Sequence, residues 1–215
     1  MRHPWTVVAL VLSIHGGAPA LAAAAPRDDA LAGLASPDPA VRRRAVATLA
    51  DSGTMQDLPR LVQALRDRDG QVRALAEQAA WQLWSRSGDP ETDRLFAEGV
   101  TAMSARAMGR AVAVFTRVIE RQPEFAEGWN KRATIYYLMG ELQKSLADCD
   151  EVVKRNPYHW GALSGYGMIY LDLDQPARAL QYFEKALAVN PNLTQVEETA
   201  EMLRRLLLQR RRNAI

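Results

Sequence analysis

The chain has 215 residues, 48% of them hydrophobic and 24% charged, with a formal net charge of +2. That balance fits one or two globular domains, and near-neutrality makes no case for binding nucleic acid or a charged membrane surface. A single cysteine, Cys149, excludes an intrachain disulfide, and three histidines leave no Cys/His set with zinc-binding spacing.

Residues 1–25 read as a secretory signal peptide. Arg2 supplies the positive start, WTVVALVLSI (5–14) the apolar core, and APALAAAAP (18–26) small residues suited to cleavage. The core is about 10 residues, half of the roughly 20 a spanning helix needs. The expectation is an exported, periplasmic protein with no membrane span after cleavage. No cysteine stands near the cleavage region, so a lipid anchor is not expected. The alanine- and arginine-rich composition points to a bacterial source.

Residues 27–90 repeat themselves. SPDPAVRRRA (36–45) aligns with DRDGQVRALA (67–76), which pairs Asp38 with Asp69, Val41 with Val72, Arg42 with Arg73 and Ala45 with Ala76. Each unit reads as an apolar helix, an aspartate-rich turn, and a second helix opening on Val-Arg. This order resembles HEAT-like repeats. The leading helix of the first unit is expected to be short, at 29–35. Two such units are fewer than the three usually needed to bury a continuous core. The end of the segment, through Trp81, Leu83 and Trp84, is therefore expected to pack on the unit that follows SRSGDP (85–90), giving one curved solenoid.

From residue 92 a longer period takes over. Pro123, Pro157 and Pro191 stand at one constant spacing and divide the chain into units 92–125, 126–159 and 160–193. Small residues recur at Gly99, Ala133 and Gly167 and at Ala111, Ser145 and Ala179, where paired helices must approach. Bulky ones recur at Leu95, Trp129 and Leu163 and at Phe115, Cys149 and Phe183. A helix–turn–helix unit of this length with these columns resembles the tetratricopeptide repeat. The first unit departs most: its turn glycine is displaced to Gly109, which predicts an irregular turn. Val196, Ala200, Leu203 and Leu207 then mark a capping helix in residues 194–215, ending on the basic tail Arg210, Arg211 and Arg212. The expected fold is all-α: a right-handed α-solenoid of two HEAT-like units, three tetratricopeptide units and a C-terminal capping helix.

The resemblance implies a concave groove lined by the first helix of each unit. Its expected lining is Phe96, Val100 and Met103 from unit one, Asn130, Lys131, Thr134 and Tyr137 from unit two, and Ser164 and Met168 from unit three. Gly161 and Gly165 open space beside them. An extended peptide or a partner helix would lie there, its backbone held by Asn130. Relatives that clamp a terminal carboxylate use several basic residues on these columns. Only Asn130 and Lys131 stand in matching places, so no tight recognition of acidic chaperone tails is expected.

Catalytic chemistry finds little to work with. His159 falls in an inter-repeat turn, where solvation or helix capping accounts for it. Cys149 occupies a column that holds phenylalanine elsewhere, which predicts burial. The glycines of GALSGYG follow no strand, so they make no phosphate loop. No catalytic residue, metal or cofactor is assigned. The reading is a non-catalytic protein–protein interaction scaffold in the bacterial cell envelope. The alternatives are a HEAT-type lyase or other modifying enzyme, and an organiser of cell-wall machinery acting through the basic tail.

Overall fold

A computed structural model describes residues 18–213. The apolar core of the expected signal peptide, 5–14, lies outside the described residues. The described residues form eleven α-helices and one short 3₁₀ turn, with no strand. The N-terminal segment holds α1 (Ala18–Gly33), α2 (Pro39–Ser52), the 3₁₀ turn (Met55–Asp57), α3 (Leu58–Ala64) and α4 (Gly70–Trp84). The leading helix α1 is thus longer than the 29–35 expected from sequence, and Pro26 sits inside it.

Local chemistry sets these ends. Asp38, Asp69 and Asp89 each stand in extended backbone and accept a helix N–H, so all three aspartate turns are N-caps. Arg42 and Arg73, which align between the two HEAT-like units, do the same work. Arg42 donates to the carbonyls of Ser36 and Pro37, and Arg73 to those of Asp67 and Arg68. Each guanidinium therefore satisfies carbonyls of the turn before its own helix.

The three longer units follow as helix pairs: α5 (Pro90–Ser104) with α6 (Met108–Arg121), α7 (Ala126–Leu138) with α8 (Leu142–Arg155), and α9 (Trp160–Asp172) with α10 (Pro176–Val189). The cap α11 (Thr194–Asn213) packs on α10 through Ala200 and Leu203, with Val196 partly buried beside them. Close approach explains the small columns. A Cβ on Gly167 would lie 2.3 Å from the Phe183 ring, and one on Gly99 would lie 2.7 Å from Phe115.

The turn of unit one is regular, contrary to the sequence expectation. Arg106, Gly140 and Asp174, at equivalent positions of the three units, all adopt positive φ, at 57°, 76° and 51°. Ala107, Glu141 and Gln175 each donate to the carbonyl five residues back, which closes the same Schellman-type end. Gly109 lies inside α6. The glycine is not displaced; Arg106 takes its conformation at a steric cost.

The HEAT-like segment does not pack on unit one in the way its position in the chain suggests. Its core, including Leu49, Leu61, Leu65 and Trp84, is continuous with Trp160, Leu163 and Ala186. It lies across the edge formed by the inter-repeat turns. Polar contacts continue the HEAT ladder there. Arg42 of the first unit pairs with Asp67 in the turn of the second at 2.7 Å. Arg73 of the second reaches Asn192 at 3.1 Å, and Asn192 donates to the Leu65 carbonyl at 2.8 Å. The α10–α11 turn thus stands where a third HEAT unit would. Two units suffice because the end of the array covers their open face.

Candidate peptide groove and the seam behind it

The sequence-selected groove residues separate into three groups. Val100 and Met168 are exposed, while Met103, Lys131, Thr134, Tyr137 and Ser164 are half-buried on α5, α7 and α9. Phe96 is buried. Its ring packs edge-on against Phe115 and Phe125 at 5.6 and 5.3 Å, so it belongs to the core of unit one and is removed from the groove. Asn130 is also buried, because it is spent on an internal contact.

That contact is a polar network at the start of α7 and α9. Glu127 has no exposed surface. It receives the Asn130 side-chain N–H at 3.1 Å, the Lys131 ammonium at 2.9 Å and His159 Nε2–H at 2.8 Å. His159 Nδ1 accepts the Ala162 N–H at 3.0 Å and caps α9. An accepting Nδ1 assigns the proton to Nε2, which points it at Glu127. Burial pulls the Glu127 carboxyl upward, but the His159 hydrogen bond and the Lys131 charge outweigh it and hold it below the usual carboxylate range. His159 is fully buried rather than solvated, and Trp84 from the HEAT-like segment stacks on its ring at 4.3 Å. Trp81 meets the same ring edge-on at 5.6 Å. Lys131 and Asn130 are therefore committed inward, which leaves no pair of free donors for a peptide carboxylate.

Between α7 and α9 the concave face opens into a cleft of about 130 Å³ lined by Thr134, Tyr137, Gly161, Gly165 and Met168. Cys149 forms its floor. A Cβ on Gly165 would still stand 3.9 Å from the Cys149 sulfur, so this glycine leaves space open, unlike Gly167. Burial, with Asp148 and Asp150 nearby, pushes the Cys149 thiol up to about 12, as expected of a packing residue and not a nucleophile. Burial and a hydrogen bond to Asp172 raise the Tyr137 hydroxyl as well.

One groove residue escaped the sequence reading. Met202 on α11 is exposed and stands one full repeat length after Met168. It continues the column of Val100, Thr134 and Met168 onto the capping helix. The repeat spacing itself carried that signal, which runs on past the third unit.

Residues 17–81 match HEAT repeats, and residues 96–159 and 160–193 each match the tetratricopeptide repeat. The chain carries N-terminal HEAT repeats followed by tetratricopeptide repeats. A TPR repeat-containing protein of Rhizobium etli is 29% identical over 72% of this chain and 76% of its own length. Anaphase-promoting complex subunit 7 of Dictyostelium discoideum is 32% identical over 38% of this chain, but only 14% of that relative is covered. Among solved structures, the Sgt2 TPR domain from Aspergillus fumigatus superposes with a TM-score of 0.54 at 23% identity, covering 59% of this chain and 85% of that one. The first TPR of Spaghetti, solved with an HSP90 peptide, gives 0.52 at 19% identity over 54% and 93%. These likenesses establish the fold of the tetratricopeptide region. No described helix of this repeat protein is long and apolar enough to cross a membrane.

Proposed function

We propose that this repeat protein is a non-catalytic scaffold that holds an extended peptide or partner helix in its concave groove, and that it works in the bacterial cell envelope after export. The observation that carries the binding reading is the column Val100, Thr134, Met168 and Met202, whose valine and two methionines are exposed, beside the Gly165 cleft. Exposed methionine and valine on a concave solenoid face suit an apolar partner side chain. Solved tetratricopeptide domains with bound HSP90 and Hsp70 segments support the use of this fold for peptides. The export reading rests on residues 1–26 as a sequence pattern. The raised Cys149 thiol and the sparse histidine inventory favour the scaffold over a modifying enzyme.

The test is selection of a displayed random-peptide library on the wild-type chain, followed by affinity measurement on Met168→Glu and Val100→Glu. Enriched peptides with apolar side chains, bound about tenfold or more weakly by both variants, are expected from losing a buried apolar anchor. Equal binding by wild type and variants sinks the groove assignment.

A further inference from the structure

The cleft beside Gly165, about 130 Å³, has a cause in the repeat columns. In units one and three a phenylalanine fills the space between the paired helices, Phe115 against Gly99 and Phe183 against Gly167. Unit two differs in both places at once. Ala133 carries the Cβ that those glycines lack, and Cys149 stands where the ring would be. Both are buried. A whole phenyl ring has given way to a sulfur and a methyl, so unit two holds less side-chain volume at this level than its neighbours. A packed core closes such a deficit or keeps it as a void. Here the next unit places Gly165 at the mouth, and its missing side chain leaves the void open to the concave face.

The chemistry of the wall defines what can enter. Thr134 Oγ1–H donates to the Asn130 carbonyl at 2.9 Å, and Ser145 Oγ–H to the Ala133 carbonyl at 2.8 Å. The Tyr137 hydroxyl is hydrogen-bonded to Asp172, and the Asn130 amide to Glu127. These polar groups are spent inside the fold, so the cleft offers dispersion contact rather than hydrogen bonds. Met168 and Ile169 supply apolar wall. An apolar cavity of about 150 Å³ accepts a benzene-sized group. A ring of that size is also what the Cys149 column lacks.

We propose that this cleft takes one phenyl ring from the partner, the phenylalanine side chain of an extended peptide, and that Gly165 sets the size it admits. The ring completes the column from outside, above Cys149 and beside the Met168 thioether, a contact that sulfur and aromatic groups favour. A charged or amide side chain is excluded, because nothing in the wall replaces the water it would lose. The subsite belongs to the proposed groove and rests on that reading, to which it adds the partner's anchor side chain.

The test selects displayed peptides on the wild-type chain and on Gly165→Leu, whose side chain would occupy the cleft. Wild type should enrich phenylalanine at one position, and replacing that phenylalanine with alanine should weaken binding about tenfold or more. On Gly165→Leu the same replacement should change affinity by less than about twofold. Should Gly165→Leu not fold, Gly165→Ala serves, because its Cβ makes only ordinary contact with Cys149, and discrimination should fall severalfold. A wild type indifferent to the alanine replacement, or a Gly165→Leu chain that keeps the discrimination, overturns the subsite. Peptides weakened by Val100→Glu but indifferent to the cleft leave the groove standing and remove the subsite alone. If no peptide is enriched, N-acetyl-phenylalanine amide is titrated into chain labelled at its methionine methyls, at roughly tens of millimolar, the range that one buried ring supports. A ring-current shift of the Met168 methyl, absent with N-acetyl-alanine amide and in Gly165→Leu, sustains the subsite while the peptide groove falls. No such shift overturns the subsite as well.

Discussion

Replacing Glu127 with alanine tests the buried network most directly. The substitution removes the acceptor for two buried donors, His159 Nε2–H and the Asn130 amide, and the partner of the Lys131 ammonium. Each buried donor left unpaired costs about 1–3 kcal/mol, so the pair costs about 2–6 kcal/mol. Lys131 keeps 28% of its side chain exposed and re-solvates, adding little. The expected loss is about 4 kcal/mol, a large part of the roughly 5–15 kcal/mol that holds a domain. Glu127→Gln keeps one acceptor for His159 and should lose about half as much. The assay is urea unfolding followed by far-ultraviolet circular dichroism. The pH dependence gives a second reading. The Glu127 carboxyl is held below its unfolded value of 4.5, so its stabilisation is present above that pH and fades as acid approaches the lower folded value. The gap between wild type and Glu127→Gln should therefore narrow on acidification. A Glu127→Ala protein within about 1 kcal/mol of wild type, or a gap that widens in acid, would refute this account.

Gly167→Ala should destabilise by about 1–3 kcal/mol, because its Cβ meets the Phe183 ring, whereas Gly165→Ala, facing open cleft, should stay near wild type in the same unfolding assay. Arg106→Gly should gain about 0.5–1 kcal/mol by relieving a left-handed non-glycine residue, net of the added chain entropy; a loss of stability would mean that Arg106 makes an overriding contact. Native Cys149 should resist iodoacetamide at pH 8 and react readily in urea, since its thiol is raised to about 12 only while folded; prompt labelling of the native chain would contradict that burial.

Most of the repeat architecture is local, and local chemistry is legible in sequence. Aspartate caps, evenly spaced prolines and small residues facing phenylalanine each act within one unit or its neighbour. The helix pairs could therefore be located without coordinates. Legibility fails where a residue stands in for another of different character. Arg106 adopts the backbone of a turn glycine because the Schellman hydrogen bonds around it enforce that conformation. Phe96 follows the groove column by number, but the rings of Phe115 and Phe125 give it a better apolar environment than the open concave face.

Repeat types and their phase follow from the order of the residues alone. The docking of the HEAT segment does not. Trp84 meets His159, and Arg73 meets Asn192, between parts of the chain that no repeat relates. No periodicity reports such a pairing, because each surface is complementary only to one that forms after the array has curved. The same docking buries His159, whose ring is covered by Trp84 and Trp81 and whose Nε2–H is left to Glu127.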